Sequence, residues 1–252
     1  MTDFATLSID GPVATLTMNR PDARNAMSLP LLDALHARLD ELPTASNGGP
    51  HVLVLTGAGK AFCAGMDLKS VLGDEDAPPK LLHGIAKLTT RLRTLPMVVV
   101  AKVNGAAIGG GCGLACACDV VVSHADAKLG FPEVDLGVCP AVVAPVLVRK
   151  IGAGRARAIL LRGGLMDGAK AHEAGIVDEL ADTRDALDGL CGAVVERLAA
   201  GGANAIAATK QLLTELDGSG DADLAARGAD LSASVLASPE ARERLAAQFA
   251  KR

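Results

Sequence analysis

Two glycine-bearing segments, each directly after a short apolar run, constrain the fold of this chain more than any other feature. The first spans residues 56–68 (TGAGKAFCAGMDL) and the second spans residues 104–114 (NGAAIGGGCGL). The runs before them, at 51–55 and 97–103, and a third run at 119–123 have the length and composition of buried strands. Glycine leaves the main chain unshielded, so each segment predicts a close approach of backbone to a partner. Strands that alternate with helical patterns in this way predict an α/β fold.

The carboxyl-terminal third has a different pattern, rich in alanine and leucine with short polar breaks. Helices are expected over residues 205–216 and 223–251, joined to the remainder by short links. The acidic stretch 74–79, which ends in two prolines, predicts a loop or lid. These shifts in pattern predict a core over residues 1–200, followed by a helical region over residues 201–252.

The glycine segments match neither of the common nucleotide-binding motifs. Gly59-Lys60 is followed by Ala61 instead of the Ser or Thr that holds magnesium in a phosphate-binding loop. Residues 109–111 lack the G-x-G-x-x-G spacing of a dinucleotide-binding loop. What remains is a loop of open amides leading into a helix over 110–117, an arrangement that binds an oxyanion. On these residues alone, a structural role in packing that helix against a sheet is equally compatible.

Charge and composition exclude several classes of partner. The 252 residues carry 25 basic and 29 acidic side chains, a net charge of -4, so neither a nucleic acid nor an anionic membrane is an expected partner. The longest apolar run, 97–103, is far shorter than the roughly 20 residues of a membrane helix. The amino terminus has no secretory pattern, which predicts a cytoplasmic protein with reduced cysteines. Cys112, Cys116 and Cys118 match no zinc spacing, so no metal is expected.

An ordered series of motifs also runs along nearly the whole chain. The motifs are NRP at 19–21, NAM at 25–27, AFCAGMDL at 61–68, VNG at 103–105, GGGC at 109–112, FPE at 131–133 and LG at 136–137, with matching segments at 169–177 and 238–252. In content, order and spacing they resemble the enoyl-CoA hydratase/isomerase family, the crotonase superfamily. The resemblance implies a crotonase-like spiral of β-β-α turns, with a helical carboxyl-terminal region that builds homotrimers, often paired into homohexamers.

The resemblance also implies where an acyl-CoA thioester would bind. The backbone amides of Met66 and Gly110 would hold the thioester carbonyl oxygen and stabilise an enolate formed at the α carbon. Arg24 or Lys69 would meet the CoA phosphates, although a solvated surface role is as compatible with either cation. CoA is then part of the substrate, and no separate cofactor is needed. The residues implied to contact substrate or CoA are Arg24, Ala26, Ala64, Gly65, Met66, Asp67, Leu68, Gly109, Gly110 and Gly113.

The chain keeps only one of the two glutamates that the family's best-known hydratases use as acid and base. Glu133 matches the second, whereas Gly113 stands where the first would be. Loss of one such group commonly lowers a rate roughly 100-fold to 10,000-fold, which argues against fast conventional hydration. A single carboxylate suffices to move a proton between C2 and C4, as in the family's double-bond isomerases. Asp135 is a weaker candidate for a second acid, and a surface or capping role fits it better.

The resemblance nevertheless slightly favours hydration over isomerisation. Residues 136–145 and 149–152 resemble a branch that acts on short branched or glutaconyl-type CoA esters, whose members are called hydratases although glycine often replaces the first glutamate. The expected function is therefore hydration of a short or branched 2-enoyl-CoA. The alternatives are isomerisation of a 3-enoyl-CoA by Glu133, hydrolysis of the thioester, and binding of acyl-CoA without turnover.

Overall fold

The structure, a computed structural model, describes residues 3–43, 48–68 and 77–250. Its strands are β1 Ala5–Asp10, β2 Val13–Met18, β3 Val52–Gly57, β4 Ala61–Cys63, β5 Val98–Val103, β6 Ala106–Ile108, β7 Val120–His124, β8 Lys128–Gly130, β9 Leu165–Asp167 and β10 Glu179–Ala181. Its helices are α1 Leu29–Asp40, α2 Ala77–Thr94, α3 Gly110–Cys116, α4 Ala144–Ile151, α5 Ala153–Arg162, α6 Gly168–Glu173, α7 Leu187–Ala199, α8 Ala203–Asp217, α9 Ala222–Leu236 and α10 Pro239–Ala250. This content confirms the predicted α/β class.

The strands form two sheets, and the chain passes from one to the other in each turn of a spiral. The larger sheet has the order β1-β2-β3-β5-β7-β10 and is parallel except for the β1–β2 hairpin. The smaller sheet has the order β4-β6-β8-β9, with β4, β6 and β8 parallel. In three successive turns a strand of the larger sheet is followed by a strand of the smaller sheet, as β3-β4, β5-β6 and β7-β8, and then by helix.

The larger sheet is buried on both faces, which explains its continuous apolar runs. Alternate residues of β3 divide between two cores: Leu53 and Leu55 belong to the main core, whereas Val52 and Val54 pack in a second cluster with Leu187 of α7.

The smaller sheet positions the site. Because β4, β6 and β8 are parallel, their carboxyl ends lie at one edge, and the segments that follow them meet there.

Two local predictions were wrong. The helix expected over 223–251 is two helices, because Pro239 cannot continue the backbone hydrogen bonding of α9. The hydroxyl of Ser238 accepts from the N–H of Ala241 at 3.2 Å and caps α10. The loop expected over 74–79 is helical from Ala77 onward, and its two prolines occupy the first turn of α2, where a missing N–H is tolerated. Residues 74–76 lie outside the described residues.

The predicted boundary near residue 200 falls between α7 and α8. Helix α9 packs closely against α2, so the carboxyl-terminal region covers the spiral instead of extending away from it. No helix in the described ranges is both long enough and apolar enough to cross a membrane.

Candidate active site

The first part of the site is a backbone bridge between residues 27 and 66. The N–H of Met27 donates to the carbonyl of Gly65, and the N–H of Asp67 donates to the carbonyl of Met27, both at 2.8 Å. Since neighbouring N–H groups of an extended strand point to opposite sides, the N–H of Met66 points away from this bridge. Within the described residues it donates no hydrogen bond.

The second part is the start of α3. Gly109 has φ +56°, a conformation that favours glycine, and its carbonyl accepts the first helical bond, from Gly113 at 2.9 Å. The N–H of Gly110 precedes that bond and has no hydrogen-bond acceptor among the residues that the structure describes. A Cβ on Gly65 would lie 3.7 Å from this nitrogen and 2.6 Å from the carbonyl oxygen of Ile108. Glycine at 65 thus allows the two free amides to come together, as an oxyanion hole requires.

The third part of the site is Glu133, in the segment after β8. A Cβ on Gly109 would lie 2.9 Å from Oε1 of Glu133, so the carboxyl group lies against the backbone of the glycine loop. The other oxygen, Oε2, is buried and has no hydrogen-bond partner in the described part of the chain. Burial raises the pKa of Glu133 from an ordinary 4.5 to about 7, and the charge of nearby Asp135 adds to the rise. This carboxyl group can therefore accept and return a proton near neutral pH.

The amides and the carboxylate lie in the wall of one cavity, whose empty space of about 650 Å³ includes part of the solvent at its mouth. Apart from Glu133, Cys139 and Ser232, its described side chains are hydrocarbon or thioether. The hydroxyl of Ser232 is already engaged, because it donates to the carbonyl of Cys139 at 2.8 Å. The lining residues are Ala64, Gly65, Met66, Leu68, Leu82, Ile85, Ile108, Gly109, Gly110, Pro132, Glu133, Leu136, Val138, Cys139, Pro140, Val142, Val143 and Ser232.

The remaining sequence-predicted residues surround this cavity rather than line it. Arg24 is exposed with φ +52°, and its carbonyl accepts from the N–H of Ala64 at 3.0 Å. The carbonyl of Ala26 accepts from the guanidinium of Arg20 at 2.6 Å, and the same guanidinium pairs with Asp67 at 3.1 Å. The predicted contacts of Arg24, Ala26 and Asp67 with CoA stay predictions. Lys69 lies outside the described residues.

Gly113 is fully enclosed in α3 and does not reach the cavity directly. A Cβ there would overlap Cγ1 of Val143 and lie 2.7 Å from its Cβ. Val143 lines the cavity that also contains Glu133, and its side chain occupies the space that a side chain at 113 would need. The position that would carry the first glutamate is thus glycine, and the volume beside it is filled by a valine.

Two residues that organise the site were missed from sequence. Asn25 is buried with φ +55°, and its amide nitrogen donates to the carbonyls of Ala58 and Ala61 at 3.0 and 2.8 Å. Arg20, described above, ties the 25–27 segment to Asp67. Their positions inside the NRP and NAM motifs were the available signal, but those motifs indicate the family and not the contact.

Comparison with known proteins identifies the family. A family model described as enoyl-CoA hydratase/isomerase matches residues 8–247. This chain belongs to the enoyl-CoA hydratase/isomerase family. A putative enoyl-CoA hydratase of Thermus thermophilus is 37% identical over 96% of both chains. A 2,3-dehydroadipyl-CoA hydratase of Escherichia coli is 36% identical over 67% of this chain and 65% of its own length.

Solved structures of this family share the fold. An enoyl-CoA hydratase from Mycobacterium avium superposes with a TM-score of 0.88 at 31% identity, covering 100% of this chain and 98% of that one. The predicted crotonase fold and family membership are therefore confirmed, and the protein is an enzyme of a family that acts on acyl-CoA thioesters. The comparisons and the cavity agree, because an acyl group suits apolar walls and a thioester oxygen suits paired amides.

Proposed function

We propose that this enzyme shifts the double bond of an acyl-CoA from C3–C4 to C2–C3, with Glu133 as the sole proton carrier. One observation carries the proposal: among the described residues that line the cavity, Glu133 supplies the only carboxylate, and Val143 fills the space beside Gly113. The geometry thus favours the isomerase alternative over the hydration expected from sequence.

The mechanism follows from the positions of the amides and the carboxylate. The thioester carbonyl oxygen accepts from the N–H groups of Met66 and Gly110, which acidifies the protons on C2. Glu133 removes one of them, and the C2–H electron pair delocalises into a dienolate whose negative oxygen the amides stabilise. Glu133 then returns the proton to C4, which leaves the double bond between C2 and C3 and regenerates the carboxylate. One oxyanion donor is worth about 3 to 4 kcal/mol of barrier.

Burial of Glu133 suits this role. A general base works best when its pKa is near the operating pH, because it must both take and release the proton. The pKa of about 7 meets that requirement, whereas a solvated glutamate near 4.5 would be a weaker base. The proposal needs no metal and no cofactor besides the CoA of the substrate.

Hydration of a 2-enoyl-CoA is the second candidate, because relatives such as the Thermus thermophilus protein are named enoyl-CoA hydratases. In that reaction Glu133 would take a proton from water while the water oxygen bonds to C3, and would pass that proton to C2. A bound water generally needs two to four polar partners. Besides Glu133, the polar side chains of the described lining are Ser232, whose proton is engaged, and the Cys139 thiol, so the side chains offer a water few partners.

Direct assays separate these reactions. The protein is incubated with 3-hexenoyl-CoA, crotonyl-CoA and 3-methylglutaconyl-CoA. Isomerisation is followed by the ultraviolet absorbance of the conjugated thioester, and hydration by the mass of one added water. We expect the 3-enoyl ester to be converted fastest. Hydration of either 2-enoyl ester at a higher kcat/KM would contradict the proposal, as would release of free CoA or absence of any turnover.

Glu133→Gln tests the assigned base. The variant should bind CoA esters as the wild type does but turn over at least about 100-fold more slowly. Glu196→Gln is the matched control, because it makes the same chemical change at an exposed residue of α7 that does not line the cavity. If Glu133→Gln keeps wild-type turnover, the assignment of the base is wrong.

The CoA contacts and the assembly belong to the same proposal. Residues 64–68 would support the adenine end of CoA, with the exposed Arg24 available to its phosphates. Leu212, Leu213 and Leu216 of α8 are 54%, 54% and 74% exposed on a single chain, which supports burial in a homotrimer or homohexamer. Light scattering at micromolar concentration should give a trimeric or hexameric mass. The free cysteines support a cytoplasmic location.

A further inference from the structure

Val143 and Gly113 form a reciprocal pair on the carboxylate side of the cavity. A side chain at 113 would overlap Val143, so the valine is compatible only with glycine at that position. Val143 is 2% exposed, yet its surface lines the cavity that contains Glu133. The pair therefore puts hydrocarbon in the site where the family's best-known hydratases have the first glutamate.

Two backbone hydrogen bonds hold Val143 in place. Its N–H donates to the carbonyl of Pro140 at 3.2 Å, and its carbonyl accepts from the N–H of Leu147 at 3.1 Å. The preceding segment is clamped by α9, since a Cβ on Gly228 would lie 2.5 Å from the carbonyl oxygen of Ala141. A β-branched side chain on such a constrained backbone has little freedom to rotate away.

The position of Val143 affects what can react beside Glu133. A water that attacks C3 needs polar partners besides Glu133, and the methyl groups of Val143 offer none. A proton that moves from C2 to C4 needs no water at all. We propose that Val143 determines reaction specificity, by excluding a nucleophilic water from the space beside Glu133 so that the carboxylate exchanges its proton with carbon.

This inference rests on the proposed isomerase function, and it is tested by a change that adds a hydroxyl without changing size. Val143→Thr places one donor and acceptor beside Glu133. The ratio of crotonyl-CoA hydration to 3-hexenoyl-CoA isomerisation is measured for wild type and variant. We expect this ratio to rise at least about tenfold, with water oxygen found at C3 when the assay is run in ¹⁸O-labelled water.

Val146→Thr is the matched control, because Val146 is a nearby valine buried in α4 that does not line the cavity, and its ratio should stay at the wild-type value. Val143→Ala is a second variant, which admits water by removing volume and keeps the test valid if threonine prevents folding. A wild-type ratio in every folded Val143 variant would overturn the role of Val143. Failure of the wild type to isomerise 3-hexenoyl-CoA would instead overturn the proposed function, a separate result from the same assay.

Discussion

The two walls of the cavity differ in how they are built. The wall formed by residues 64–68 and 109–110 presents backbone N–H groups, held by a strand bridge and by glycines that admit close approach. The other part of the lining, which includes Leu82, Ile85 and Val143, presents hydrocarbon side chains on or next to helices α2 and α4. The first wall carries the amides that we propose hold the thioester oxygen, and the second carries the valine that we propose sets what Glu133 reacts with.

The largest effect should come from placing a carboxylate in the side-chain wall. Gly113→Glu forces a charged side chain against Val143, and overpacking plus burial of an unpaired charge should lower the free energy of unfolding by about 3 to 5 kcal/mol. Adding Val143→Gly should recover much of this loss, because it removes the overlapping atoms. Gly192→Glu is the control, since Gly192 is exposed in α7 with open space around it. Equal chemical denaturation of Gly113→Glu and the double variant would disprove the reciprocal packing.

A change in the amide wall should affect the rate more than the fold. Gly65 has φ +91°, and a Cβ there would press on the carbonyl of Ile108 and displace the Met66 amide from that of Gly110. Gly65→Ala should therefore lower kcat about 100-fold to 1,000-fold, as for loss of an oxyanion donor. Gly152→Ala is the control for strain alone, because Gly152 also has positive φ but open space around it. A kcat within a few-fold of wild type would argue against an oxyanion hole at Met66 and Gly110.

The smallest effect concerns the carboxylate between the walls. The folded protein holds the pKa of Glu133 at about 7, above the 4.5 of an unfolded chain, so the folded state binds more protons between these values. The free energy of unfolding contributed by Glu133 is therefore highest below pH 4.5 and falls as pH rises to about 7. Glu133→Gln should be more stable than wild type at pH 8, by up to about 3 kcal/mol, and show no such gain at pH 4.5. Thermal unfolding at both pH values, with Glu196→Gln alongside as the control at an exposed glutamate, measures the difference.

The amide wall could be predicted from sequence because its determinants are local. The segments AFCAGMDL and GGGC each contain the glycines and the amide-bearing residues together. The family resemblance therefore predicted that Met66, Gly110 and Glu133 lie in one site. The side-chain wall could not be predicted in the same way. The overlap between Gly113 and Val143 depends on how α4 docks against α3, which no local pattern encodes.

The smaller sheet was also beyond sequence patterns. Its strands β4, β6, β8 and β9 have three residues each, too few to show the alternation that distinguishes a strand from a loop. Their parallel pairing is nevertheless what brings three successive turns of the spiral to the same edge. The site thus depends on elements whose role becomes visible only when they pair.

The central claim is that one carboxylate moves a proton between two carbons of the acyl chain. The most direct measurement uses 3-hexenoyl-CoA with two deuterium atoms at C2. The wild-type enzyme converts it in water that contains ¹⁸O but no deuterium, and the product is analysed by mass spectrometry. The account predicts 2-hexenoyl-CoA that keeps one deuterium at C2 and, in part of the molecules, carries the other at C4. Recovery of unchanged 3-hexenoyl-CoA, or 2-hexenoyl-CoA with no deuterium at C4 in any molecule, would contradict it.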